Sequence, residues 1–339
     1  MATILHTSLH HIDHRTNALN QINLDHGSAD LEKYIERLIR EITASTGSRQ
    51  FEFNSDTTET RTAISHFLNS NYTEGANINS TRLLRVEIEA QRRVSHLEIN
   101  IQKGILFQAV IEDEGGQLIV ISKADHNQFL DEIELTLRNG LPFEKRIFKA
   151  FLARFNGTEF TEILVHDTTS RMAKYWWSDY LELTEKYTDE YNTERSLDIL
   201  DKKIFSRMKS KHPADRTILR NSTIGFFRNN EEFNLETYLD TTFTNYVPVD
   251  PEFPKASYIE KIRQLPEQSK FDPRFGIVQG KIGKRQYDRI PLTTQLELII
   301  KEPIDNLRSV IEAGKDQEGN KFIKIRTDHG YNLFKGRDQ

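Results

Sequence analysis

GILFQAVIEDEGGQLIVISKAD, residues 104–125, decides the class of fold. It reads as strand, turn, strand, with Gly115 and Gly116 at the turn. A third strand is expected in RIFKAFLARF (146–155) and a fourth in EFTEILVHD (159–167). Upstream, alternation over 2–14 predicts a strand, and Phe51 and Phe53 alternate on a short one. Leu31, Ile35, Leu38, Ile39 and Ile42 have helical spacing in LEKYIERLIREI, and Gly47 follows as a stop signal. Two more helices are expected near 58–70 and 79–97. Together these elements predict a mixed N-terminal domain over 1–167, built on an antiparallel sheet.

A helical region is expected over 168–245. AKYWWSDYLEL (173–183) opens it, and apolar spacing at Leu197, Leu200, Ile204 and Met208 continues it. Pro213 suits the first position of the next helix, and Asn234 can cap LETYLDTTF. Pro248, Pro251 and Pro254 mark a loop or linker. Strand signals return in TQLELII (294–300) and KFIKIRT (321–327), with Gly319-Asn320 at a hairpin turn, so 246–339 is expected to be small and β-rich. The class is therefore α+β.

The chain has 339 residues, 37% of them hydrophobic, and a formal net charge of −5, enough for about two domains. It has no cysteine, which excludes disulfides, thiolate metal sites and cysteine nucleophiles. The start MATILHTSLHHIDHR lacks the pattern of a signal peptide. Apolar runs such as LIVI (118–121) are too short to span a bilayer. A soluble cytoplasmic protein without membrane insertion is expected.

Against this acidic background, KKIFSRMKSKHPADRTILRNSTIGFFR (202–228) is basic. Lys202, Lys203, Arg207, Lys209, Lys211, Arg216, Arg220 and Arg228 oppose one acid, Asp215. Such clustering costs self-repulsion, and a phosphate-bearing partner offsets it. On a helix, Arg195, Lys202 and Lys209 share a face by seven-residue spacing, while Lys203/Arg207 and Arg216/Arg220 are i,i+4 pairs. The acids of 182–201 can quench the near lysines, which leaves Arg216 and Arg220 as the face expected to stay open. A second cluster, Lys281, Lys284, Arg285 and Arg289, is interspersed with Gly280 and Gly283.

Other candidates point elsewhere. Trp176 and Tyr180 share a helical face and are expected in a core or a subunit contact, which favours a homodimer or other homo-oligomer. His6, His10, His11 and His14 lack a supporting set of carboxylates, so no metal or other cofactor is expected there. The alternative of a magnesium-dependent nuclease or phage-defence effector would need an acid on one strand and an acid-x-lysine on the next. Glu112, Asp113 and Lys123 supply part of that pattern, but Ile121 stands where the second acid belongs. No GxSxG, GxxxxGK[ST] or GxGxxG motif occurs. A third reading is a protein–protein interaction module whose basic face docks an acidic partner.

Several runs resemble a known family. LHHIDH (9–14), the helix after it, the FEF strand and LIVISKAD (118–125) are similar to the bacterial nucleoid-associated proteins of NdpA type. PADRTILRNSTIGFFRNNEEFNLETYL (213–239) and FGIVQGKIGKRQYDRIPLTTQLELIIKEPIDNLRSVI (275–311), with its Asn306–Arg308 run, resemble that family's closing part. Residues 49–115 match it poorly. The resemblance implies double-stranded DNA association in the bacterial nucleoid and no established enzymatic activity; together with the basic block it predicts duplex binding through phosphate contacts with weak sequence preference. It also opens contacts with DNA-topology enzymes or another protein subunit.

Overall fold

The computed structural model describes residues 3–22, 29–44, 47–97, 100–101, 103–125, 127–130, 137–140, 149–157, 159–169, 172–283 and 288–335. The chain forms two compact units. One is Met1–Thr188 together with Asp272–Arg274, and the other is Asp189–Phe271 with Phe275–Gln339. The architecture is α+β, as the sequence predicts.

In the first unit, chain order runs β1 (Thr3–Asp13), β2 (Ala18–Ile22), α1 (Ala29–Ala44), β3 (Ser48–Phe53), α2 (Glu59–Leu68) and α3 (Tyr72–Val94). The hairpin β4 (Gly104–Asp113) and β5 (Gly116–Asp125) follows, then a small hairpin of β6 (Asn127–Leu130) and β7 (Leu137–Gly140). β8 (Lys149–Asn156), β9 (Glu159–Asp167) and β10 (Leu183–Glu185) complete the unit. Eight strands form one sheet in the order β10-β3-β9-β8-β5-β4-β1-β2, and each described pairing is antiparallel.

β4 is buried over its first eight residues because both faces of the sheet are covered. Ile105, Phe107, Ala109 and Ile111 point toward the layer of α1, with Tyr34, Ile35, Leu38 and Ile42. Leu106 and Val110 point the other way, with Ile64, Phe67, Leu83 and Val86 of α2 and α3. Each leucine, isoleucine, valine or phenylalanine among them contributes about 1.5–3 kcal/mol of burial. α3 starts seven residues earlier than the sequence suggests. Gly75 in its first turn explains the close approach to α2: a Cβ there would lie 2.6 Å from the Ala63 carbonyl oxygen.

The first unit extends past residue 167, where the sequence signals place its end. Trp176, Tyr180, Leu181 and Leu183 pack into the α2/α3 side of the sheet, and β10 pairs with β3. The aromatics sit in a wide helical turn, closed by Leu181 N donating to Trp176 O at 3.0 Å.

The second unit contains α4 (Asp189–Ile199), which runs through a wide turn at Leu200–Phe205 into α5 (Ser206–Lys211). α6 (Pro213–Asn229) starts at its proline, as expected. β11 (Glu232–Asn234) leads to α7 (Leu235–Leu239), where the Asn234 side chain accepts from Glu236 N and Thr237 N. α8 (Lys255–Arg263) and α9 (Leu265–Ser269) follow, then β12 (Arg274–Gly276), of which Phe275 and Gly276 belong to this unit. The hairpin β13 (Asp288–Pro291) with β14 (Glu297–Ile300) precedes α10 (Leu307–Val310), and β15 (Ile311–Lys315) with β16 (Lys321–Ile325) precedes α11 (Asp328–Phe334). The core is aromatic: Phe226, Phe227, Phe233 and Tyr238 pack together, and Phe275 stacks on Phe233 at 4.7 Å.

The proline-rich stretch 246–254 belongs to this unit. Asp215, buried in the first turn of α6, accepts from Tyr246 OH at 2.6 Å, Val249 N at 2.6 Å and Asp250 N at 3.2 Å. Among the described residues no helix is long and apolar enough to cross a membrane.

The β4–β5 turn gives a test. Gly116 has φ +111, and a Cβ there would lie 2.1 Å from Phe155 O. Gly116→Val is expected to destabilise the first unit by at least about 2 kcal/mol. Both tryptophans, Trp176 and Trp177, lie in that unit, so urea unfolding followed by intrinsic fluorescence reads it directly.

Candidate nucleic-acid interface

The basic block divides into cations used inside the second unit and cations left on its surface. Lys202 Nζ donates to Asp198 at 2.8 Å, an exposed i,i+4 pair of little energetic weight. Lys203 Nζ donates to Ser269 Oγ at 2.9 Å, and Arg195 Nε donates to Ser269 O at 2.9 Å. The expected ridge of Arg195, Lys202 and Lys209 therefore does not form. The wide turn at Leu200–Phe205 inserts extra chain into the helix and breaks the seven-residue register.

Arg216 and Arg220 depart furthest from expectation. Arg220 is buried and donates to Asp201 through Nε at 2.8 Å and Nη2 at 3.3 Å, with Asp288 a further 3.7 Å neighbour. Arg216 Nη1 reaches both oxygens of the same Asp288, at 3.2 and 3.3 Å. Asp201 is one of the upstream acids, and Asp288 comes from β13, 72 residues downstream of Arg216, where no sequence neighbour could announce it. This pair is the most neutralised part of the block.

Other residues of the family-like runs also hold one another. Asn221 exchanges two hydrogen bonds with the Ile304 backbone, at 2.7 and 3.0 Å. Arg308 donates to Val247 O at 2.7 Å and to Tyr246 OH at 3.2 Å, with its guanidinium over the Tyr246 ring. Burial and the bond to Asp215 push the Tyr246 phenol up from its ordinary range.

The surface set is smaller. Arg207, Lys209 and Lys211 are exposed on α5, a segment without an acid. Among the described residues Lys209 and Lys211 meet no acidic partner. Arg228 is exposed at the end of α6, as are Lys281 and Arg289 in the second cluster. Lys284 and Arg285 lie outside the described residues.

The nuclease set is not assembled. Asp113 and Glu112 sit at the turn end of the hairpin, opposite Gly116 and Gln117, while Lys123 lies opposite Leu106. Six residues of strand separate them, about 20 Å. Glu112 is exposed, and Asp113 accepts from Arg154 Nη1 at 2.9 Å and from Gly115 N at 2.8 Å. The Arg154 guanidinium holds the Asp113 carboxyl below the usual carboxylate range.

Lys123 instead belongs to a buried ionic row that sequence reasoning missed. Asp167, Lys149, Lys123, Leu106 and His10 stand directly opposite one another across β9, β8, β5, β4 and β1. They share one face, so two lysines are immediate neighbours inside the protein. Lys149 Nζ donates to Asp167 at 3.0 Å, and Lys123 is ion-paired with Glu87, a fully buried residue of α3. His14 Nδ1 lies 3.6 Å from the same carboxylate. Both ammonium groups lie near the Tyr175 ring, at 5.9 and 5.8 Å from its centroid. Burial pushes the Tyr175 phenol up to about 12 and lowers the His10 imidazole. The only sequence signal was a lysine inside each of two apolar strands. Among the described residues no group of three His, Asp or Glu side chains could hold a metal ion.

The sequence matches no protein-family model, and no curated protein matches it.

Two results are expected from this geometry. Asp288→Ala strands Arg216 and half the environment of Arg220, and is expected to cost about 2–4 kcal/mol in urea unfolding followed by circular dichroism, whereas Lys209→Ala stays within about 0.5 kcal/mol. Lys123→Met leaves Glu87 buried beside His14 alone and is expected to cost about 3–5 kcal/mol, while adding Glu87→Leu restores most of that loss. Tryptophan fluorescence reads the second pair of variants.

Proposed function

We propose that this chain binds the phosphate backbone of double-stranded DNA with weak sequence preference, through the exposed cations of α5. The observation that carries the reading is the set Arg207, Lys209 and Lys211, three exposed cations on six residues of helix without an intervening acid. Long flexible cations on a surface helix neutralise phosphates and release counterions, and they carry no means of reading base edges. The resemblance of the sequence runs to nucleoid-associated proteins of NdpA type supports the same reading, with the bacterial nucleoid as the setting it implies. Arg216 and Arg220 are left out of the contact because their charge is spent on Asp201 and Asp288.

The experiment is filter binding or mobility shift on duplex DNA across a salt series. Binding is expected at low salt and is expected to weaken as salt rises. Lys209→Ala with Lys211→Ala should weaken binding alike on unrelated sequences and reduce the log–log salt slope by about 2. Absence of binding at low salt, or an unchanged slope in the double variant, would overturn the reading.

A further inference from the structure

Tyr258 of α8 is held in a fixed orientation inside the second unit. Its ring stacks on Phe253 at 5.2 Å with an interplanar angle of 15°, and α8 packs against the wide turn that leads into α5. Only 6% of the residue is open. The hydroxyl belongs to that open edge: among the described residues it has no hydrogen-bond partner, and it is not enclosed. Burial of the ring holds the phenol above its ordinary range, so the hydroxyl keeps its proton and is a donor at neutral pH.

Two cations border this ring. Lys261, on the same face of α8, places its ammonium 5.4 Å from the ring centre. Arg207 of α5 is close enough for its charge to act on the phenol against the effect of burial. Both side chains are exposed, and among the described residues neither forms an ion pair. Glu260, the acid beside Lys261 in sequence, accepts from Gln264 Nε2 at 3.3 Å. Two like charges gathered at one phenol from separate helices repel each other, and an anion between them relieves that cost.

We infer that Arg207, Tyr258 and Lys261 form one phosphate site on the second unit. The guanidinium fork and the ammonium supply charge, and the hydroxyl supplies a neutral donor of fixed direction, which loose surface lysines lack. Arginine and lysine side chains are long and rich in rotamers, whereas the Tyr258 ring is held by its stack on Phe253. The tyrosine therefore sets where the phosphate sits. Arg207 and Lys211 are an i,i+4 pair on α5, so the site continues the cationic face proposed above for the duplex. The inference rests on that reading only for the source of the phosphate, a backbone phosphodiester; the same three groups suit inorganic phosphate.

Two arms on the full chain test it. In filter binding on duplex DNA across a salt series, Tyr258→Phe is expected to weaken binding about tenfold without changing the log–log slope, since a lost neutral donor releases no counterion. Lys261→Ala is expected to lower the slope by about 1. Tyr258→Phe keeps the ring on Phe253, so thermal unfolding by circular dichroism is expected to stay unchanged. In phosphorus NMR the wild type is expected to broaden the line of inorganic phosphate, and Tyr258→Phe is expected to abolish the broadening. Loss of broadening with unchanged duplex binding keeps the site and assigns it to free phosphate. No effect of Tyr258→Phe in either arm overturns the inference, whatever Lys261→Ala does, because surface charge alone gives the lysine effect. A chain that binds duplex and responds to Lys209→Ala with Lys211→Ala, yet ignores Tyr258→Phe in both arms, loses this inference alone. A chain that binds no duplex but broadens phosphate through Tyr258 loses only the DNA reading.

Discussion

Two lysines stand directly opposite each other on β8 and β5, inside the first unit, and the rest of that unit is arranged around the need to neutralise them. Like charges at cross-strand distance repel strongly where water is excluded. Each lysine therefore takes its own acid: Asp167 from the neighbouring strand for Lys149, and Glu87 from the covering helix for Lys123. Asp167 has a second task. Its oxygens also accept from Thr169 N at 2.9 Å, Thr169 Oγ1 at 2.7 Å and Ala173 N at 2.8 Å, which turns the chain back after β9. That turn carries Tyr175 over the two ammonium groups and Trp176 into the core. One carboxylate thus joins charge neutralisation to the path of the segment that closes the hydrophobic layer.

The second unit follows the same logic with arginines. Arg216 and Arg220 face inward because Asp201 and Asp288 meet them there, and planar guanidinium groups suit such shared, partly buried pairing. Asp215, the one acid in the basic block, is occupied by a tyrosine hydroxyl and two backbone amides of the proline-rich loop. Formal charge along the sequence therefore overstates the surface charge of this block. What remains outside is concentrated on α5, and that is where a phosphate partner has the least competition from the protein's own acids.

Much of the fold was legible. The β4–β5 hairpin turns at its glycine pair, β8 and β9 lie where their apolar runs place them, α6 starts at Pro213 and α7 is capped by Asn234. These features depend on residues within a few positions of one another. The charged sites were far less legible. Lys123 reads as the end of a strand, and its partner Glu87 reads as one acid among several on a helix. Arg216 and Arg220 read as an open pair, because Asp288 is distant in sequence and carries no local signal of its direction.

The sequence by itself determined the periodicities, turns and caps, and with them the α+β class, because those are set by backbone sterics and by apolar spacing over short stretches. Only the tertiary structure decided which charges are spent and which are exposed. An ion pair depends on two side chains meeting in space, and burial multiplies the consequence of that meeting. For Lys123, Lys149, Arg216 and Arg220 the meeting came from strand order and helix packing; among the described residues no acid meets Lys209 or Lys211.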